Sequence, residues 1–281
     1  ISREPSSLVA RRLRRATHAR RRAAALAAIR LQGDTLRGRA ATLTTAREYE
    51  ARPVNLKIAT RLVEATVVQQ VTARGVQLCG FPSLSMTILA SALRAVRHLG
   101  PPDQNAGRNY MAGIGLDMDL RRRGQPLVQN LLSVVPIVAR PNELGDHEAL
   151  VRLLGRQLRE RLETGIDLGV LRLARVFQKR PRHIRWYLDY LLRWSYSLWY
   201  AYFGALDDIP ALGGVEIEQV YFVGPTWWPL GFTLLTNQFR GRLHLQATYD
   251  PDLVPDPLAE QALEWIVADL AAFAAGPPNL L

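Results

Sequence analysis

A chain of 281 residues, 48% hydrophobic and 22% charged, is long enough for a substantial core and ordinary in composition for a globular protein. Its single cysteine, Cys79, excludes an internal disulfide framework and a cysteine-rich zinc site, and its five scattered histidines (His18, His98, His147, His183, His244) show no metal-ligand spacing. The net charge of +11 is uneven: residues 1–30 hold nine arginines against Glu4, a local +8, so the excess does not mark the whole fold as a polyanion binder.

Ser6 or Ser7 caps a helix expected from about Leu8 to Leu31, with Val9, Leu13, Ala16, Ala23 and Ala27 as a thin apolar stripe. It reads as a solvated linker helix, or as a basic arm for a partner's acidic surface or for anionic lipid. Nucleic acid is disfavoured, because no aromatic residue interleaves the arginines. Burying alanines returns little, so residues 1–30 are expected to be dispensable for folding. A connector follows, which divides the chain into residues 1–54 and a lobe of residues 55–281.

The apolar positions Ile58, Leu62, Val63, Ala65 and Val67 predict a helix over Leu56–Val71 that ends near Gly75. Val76-Gln77-Leu78 then reads as a link, and Pro82-Ser83-Leu84 starts a second helix that Gly100-Pro101-Pro102 stops. Cys79 reads as a buried structural thiol. Residues 109–140 predict a strand (Gly113–Leu120), a basic bend and a largely apolar strand (Leu131–Val138), in which Pro136 marks a bulge or a free edge. Asn130 at the mouth of that strand is either a turn residue or a positioned polar group in an apolar wall.

Asp146 caps an amphipathic helix that buries Leu150, Val151, Leu154, Leu158 and Leu162 and pairs Glu148 with Arg152. The aromatic stretch 185–204, interrupted by Asp189 and Arg193, reads as core, with an apolar ligand wall or a membrane-facing patch as alternatives to packing. Val215–Val223 alternates as a strand would. Phe232–Phe239 and Arg242–Tyr249 predict a hairpin about Arg240-Gly241. Asp256 is the expected N-cap of a last helix with Pro257 in its first turn and Ala262, Leu263, Ile266, Leu270 and Phe273 inward. The class is α/β.

Several of these pieces come in a telling order: Gly75-Val76-Gln77-Leu78 between helical stretches, a strand ending in Leu120-Arg121, and the Asn130-led apolar strand. An aromatic segment closing on Gly204 and a hairpin ending in Tyr249-Asp250 complete the series. Together they resemble the C-terminal lobe of the CoA-dependent acyltransferase superfamily, the fold of chloramphenicol acetyltransferase, peptide-synthetase condensation domains and polyketide-associated and wax-ester acyltransferases. The resemblance covers about residues 55–275 and implies a chloramphenicol-acetyltransferase-like lobe, a mixed β-sheet flanked by long helices. It implies acyl transfer from acyl-CoA or an acyl-carrier phosphopantetheine to an alcohol or amine, with no bound cofactor and no metal. Asn130, Tyr200, Tyr202, Gly204, Trp227 and Trp228 are then expected beside the substrate channel, and Arg121 in a structural role.

Two departures limit what carries over. The family's catalytic His-His-x-x-x-Asp-Gly is absent, so no residue of this chain is assigned as catalytic. That histidine is expected on an N-terminal lobe or separate subunit, and a chain beginning at Ile1 fits an upstream segment removed, left disordered or carried elsewhere. The plant members' Asp-Phe-Gly-Trp-Gly, whose aspartate pairs with the Leu-Arg arginine, would fall near residues 224–231, where no aspartate stands, so Arg121 must find another partner. Further expected partners are an acyl carrier protein or an anionic membrane surface, and the expected location is cytoplasmic or peripheral at a membrane. A non-catalytic binding or scaffold relative of the same fold is the alternative.

Overall fold

The computed structural model describes residues 18–37, 40–44, 55–117, 132–170, 196–206, 214–226 and 230–276. Its core is a six-stranded mixed sheet of β1 (Lys57–Val63), β2 (Tyr110–Asp117), β3 (Leu132–Ala139), β4 (Leu198–Ala205), β5 (Phe232–Phe239) and β6 (Arg242–Tyr249), in the order β1-β6-β5-β4-β2-β3. The inner pairs β2·β4 and β4·β5 are parallel, and the other three are antiparallel. The long helices are α1 (His18–Arg37), α2 (Ala65–Cys79), α3 (Ser83–Leu99), α4 (His147–Thr164) and α5 (Asp256–Ala275).

Sequence alternation sets the two faces of the sheet. Tyr200, Phe232, Leu234, Leu243, Leu245 and Ala247 turn toward α2–α5 and form the core with them. Helix α3 lies in the middle of that layer, packed among α2, α4 and α5 and against β2 and β4, and is buried from Ser83 to Leu93. No single described helix is long and apolar enough to cross a membrane. The hairpin turns at Arg240 and Gly241, both at positive φ, which suits the twist of a two-residue connection.

Pro136 stands on β3, whose only described neighbour is β2, so the free-edge reading holds. Gln157 of α4 closes part of that edge: its Nε2 donates to the Val138 carbonyl at 2.6 Å and its Oε1 accepts from the Val138 N–H at 3.1 Å. As expected, Asp146 caps α4 by accepting from the Ala149 N–H, and Glu148 pairs with Arg152 at 2.9 Å. Cys79 is buried, and that burial pushes its thiol up.

Four expectations are corrected. Residues 57–63 are a strand, not a helix, because β6 offers a ladder to an edge segment whose Ala59 and Val63 reach the core. Gly75-Val76-Gln77-Leu78 lies inside α2. A Cβ on Gly75 would sit 3.0–3.1 Å from Thr87 and Ser83, so this glycine serves the close crossing of α2 and α3 and not a helix end. Residues 216–226 form no strand. Asp256 is the first residue of α5, after Pro255, and its carboxylate accepts from Lys57 Nζ at 2.6 Å and from the Tyr249 hydroxyl at 3.1 Å.

The alanine stripe of α1 also falls elsewhere. Ala24 and Ala28 are buried while Ala23 is exposed, since a segment with alanine on every side carries no moment to choose its face. The expected start of that helix lies outside the described residues. Residues 40–44 are tied to the sheet end: the Ala41 N–H donates to the Asn109 carbonyl at 2.9 Å, and Asn105 accepts from the Thr42 N–H and donates to its carbonyl.

Candidate functional site

The end of β4 holds the described residues that the sequence points to. Tyr200 is on the core side, 1% exposed, and its hydroxyl donates to the Ser85 carbonyl at 3.0 Å. Burial pushes that phenol far up, so it stays neutral. It is a core side chain that ties β4 to α3. Tyr202 is half-buried and donates to Gln238 Oε1 at 2.8 Å. Residues 200–204 are strand with a bulge: Tyr202 pairs with Thr236, but Ala205 pairs with Gln238, so β4 advances three residues where β5 advances two. Gly204 takes up the difference at φ 82° with open space where a Cβ would stand. Phe203, on the opposite face from Tyr202, is 45% exposed, and its ring stacks on Phe222 at 3.9 Å. Asn130, Trp227, Trp228 and Arg121 lie outside the described residues.

Behind this end, the sheet face turned away from the helices carries a buried polar row that the sequence did not single out. Segment 214–226 crosses it as a strap, held by side-chain amides instead of a ladder. The Phe222 N–H donates to Gln246 Oε1 at 3.1 Å, Gln246 Nε2 donates to Asn237 Oδ1 at 3.2 Å, and Asn237 Nδ2 donates to the Val220 carbonyl at 3.2 Å. Thr233 adds a bond from its hydroxyl to the Pro225 carbonyl at 3.0 Å. Thr233, Asn237 and Gln246 are each matched to a backbone group of the strap, which is what lets them be buried, whereas Thr248 Oγ1 and His244 Nδ1 on the same face have no hydrogen-bond partner among the described residues. His244 belongs to the same row, 2% exposed and edge-on to Tyr221 at 5.3 Å. Burial, then Arg242, hold its imidazole below the ordinary histidine range.

A cluster of titratable groups lies on the other layer, where α3, α4 and α5 meet at an open cleft of ≈ 430 Å³. Asp269 accepts from Arg94 Nε at 3.2 Å on both oxygens, and its Oδ2 is 3.1 Å from His147 Nδ1. Arg94 Nη1 also donates to the Leu144 and Gly145 carbonyls at 2.8 Å. Arg74 pairs with Glu148 and donates to the Phe273 carbonyl at 2.9 Å.

Ser91 Oγ lies 3.5 Å from His147 Nε2, so hydroxyl, imidazole and carboxylate stand in a row. They are not a nucleophilic site. Ser91 is 0% exposed, burial holds the imidazole below its ordinary range, and Arg94 occupies the carboxylate. The row ties three helices together. Nothing in the local sequence could reveal it, since its members come from three distant helices. The remaining described histidine side chain, His98, stacks on Trp265 at 5.6 Å. Among the described residues no group of three His, Cys, Asp or Glu side chains is placed to hold a metal ion.

No family model matches the chain, and no curated protein matches it in sequence. Solved structures do match its fold. Trichothecene 15-O-acetyltransferase from Fusarium sporotrichioides is 14% identical at a TM-score of 0.64, over 88% of this chain and 52% of that one. A nonribosomal peptide synthetase cyclization-docking bidomain from Sorangium cellulosum is 14% identical at 0.62, over 90% of this chain and 49% of that one. Polyketide synthase associated protein 5 from Mycobacterium tuberculosis is 16% identical at 0.59, over 88% and 59%. Nearly all of this chain is thus accounted for by a fold of which it spans only about half the length.

Proposed function

We propose, from a chain that has the CoA-dependent acyltransferase fold, that it is the C-terminal half of an acyltransferase or condensation-type enzyme. The reaction moves an acyl group from a CoA or carrier-protein thioester to an alcohol or amine. A histidine on another lobe or chain takes the proton of the acceptor, whose oxygen or nitrogen attacks the thioester carbonyl. The C–S bond then breaks, and the thiolate leaves and is reprotonated. The observation that carries this reading is the half-length match together with the absence of His-His-x-x-x-Asp-Gly from all 281 residues.

In this reading the present lobe supplies wall and donor-binding surface. The β4 bulge at Gly204, with Tyr202 and the exposed Phe203–Phe222 stack beside it, is the described part of that wall. Asn130, Trp227 and Trp228 are proposed for the same channel on the family resemblance of the sequence, and Arg121 for a structural role. A carrier protein is the partner that such a donor implies. The second reading is a non-catalytic binding relative, which the enclosure of both His147 and His244 favours for the chain by itself.

Intact mass of the protein taken from its native source separates the two. A chain well above 31.5 kDa, or a co-purifying chain bearing the histidine motif, supports the enzyme. A native chain of 31.5 kDa that purifies alone and transfers no acyl group supports the binding relative.

A further inference from the structure

Helix α1 is built inside out for a helix facing water. Its small residues are inside: Ala24 and Ala28 are 3% and 1% exposed, and a Cβ on Gly169 would fall 2.2 Å from the Ala24 carbonyl oxygen. So close a backbone approach fixes which face is outward. That outward face carries the large aliphatic side chains, Leu26 at 57% and Ile29 at 49% exposed, with exposed Arg22 and Arg30 beside them. Positions 22, 26, 29 and 30 share one side of a helix.

We propose that this face docks on an anionic lipid membrane. The charge is complementary, nine arginines against one glutamate in residues 1–30, and guanidinium groups are suited to lipid phosphates. Two aliphatic side chains set among arginines are the arrangement of a helix lying in the headgroup region, apolar side chains inserted and cations at phosphate depth. A nucleic acid would leave Leu26 and Ile29 without a role, since neither stacks on a base. An acidic protein partner, or another lobe of the same enzyme, is the rival occupant.

The test is sedimentation of the full chain with vesicles of phosphatidylcholine alone and of phosphatidylcholine mixed with phosphatidylserine. Binding is expected to the mixed vesicles, to weaken as salt is raised, and to be slight on the neutral ones. The exposed pair Leu26→Ser/Ile29→Ser should lower partitioning by about tenfold or more, with the thermal midpoint unchanged. Arg22→Glu/Arg30→Glu should lower it as well. Equal binding to both vesicle types overturns the proposal. So does a serine pair that binds like the parent, which would leave only diffuse adhesion of the arginines. Absence of vesicle binding, with the serine pair instead losing a co-purifying protein, assigns the face to the rival.

Discussion

Replacing Asp269 with Asn tests whether the Arg94–Asp269–His147 row holds the helical layer together. The carboxylate is 9% exposed and receives two contacts from Arg94 Nε at 3.2 Å, one from Nη2 at 3.2 Å and one from His147 at 3.1 Å. Removing one partner of a buried ion pair costs about 3–5 kcal/mol. Arg94 is one-fifth exposed and keeps the Leu144 and Gly145 carbonyls, so the expected loss is nearer 2–3 kcal/mol, at about 1.5–3 kcal/mol for a charge-assisted bond. With a urea slope of about 3 kcal/mol/M the unfolding midpoint should fall by close to 1 M. The double variant Arg94→Met/Asp269→Leu should recover most of the loss, because it leaves no buried charge without a partner. An Asp269→Asn midpoint unchanged from the parent, or a double variant worse than the single one, would refute the reasoning.

The remaining expectations concern pH and packing. Burial holds His147 below its ordinary value of 6.5, with Asp269 and the Thr87 backbone opposing and Arg94 and Arg74 reinforcing; His244 is lowered in the same direction. Both are neutral in the folded and unfolded chain above 6.5, and on acidification the unfolded chain takes up protons first. Stability should therefore decline as pH falls below about 6.5, and His147→Gln should flatten that decline only in part because His244 remains. Urea midpoints across that range measure it. Gly155 of α4 offers a packing test: a Cβ there would lie 2.7 Å from Cys79 Cβ. Gly155→Ala should cost about 1–3 kcal/mol, and calorimetry should show Tm lower by about 2–4 °C per kcal/mol.

The elements legible in the sequence are those whose local chemistry and tertiary role agree. Arg240-Gly241 between two alternating runs left little choice but a hairpin, and the inward residues of α5 follow a single helical period. Where the two disagree, the sequence misleads. Ile58, Leu62 and Ala65 fit a helical spacing, yet Lys57–Val63 is an edge strand because β6 is there to receive it. Val215–Val223 alternates as a strand does, but Asn237 and Gln246 bind its backbone in place of a neighbouring strand. Gly75 looked like a stop and is a helix crossing.

At the candidate site, Gly204 was legible as a break in an aromatic run. Tyr200 was not separable from Tyr202, because both lie on the same face of β4 and how far α3 covers that face is a tertiary fact. The ion-pair row of Arg94, His147 and Asp269 had no sequence signal, being assembled across three helices.

Thiol release from acetyl-CoA, followed in the presence of a small alcohol or amine acceptor, tests the division of labour most directly. The purified 281-residue chain should release no thiol above the uncatalysed background. Release should begin when a lobe or chain carrying His-His-x-x-x-Asp-Gly is supplied, and should stop again when the second histidine of that motif is replaced. Sustained acyl transfer by this chain alone would contradict the account, which assigns the base to a histidine of another lobe or chain.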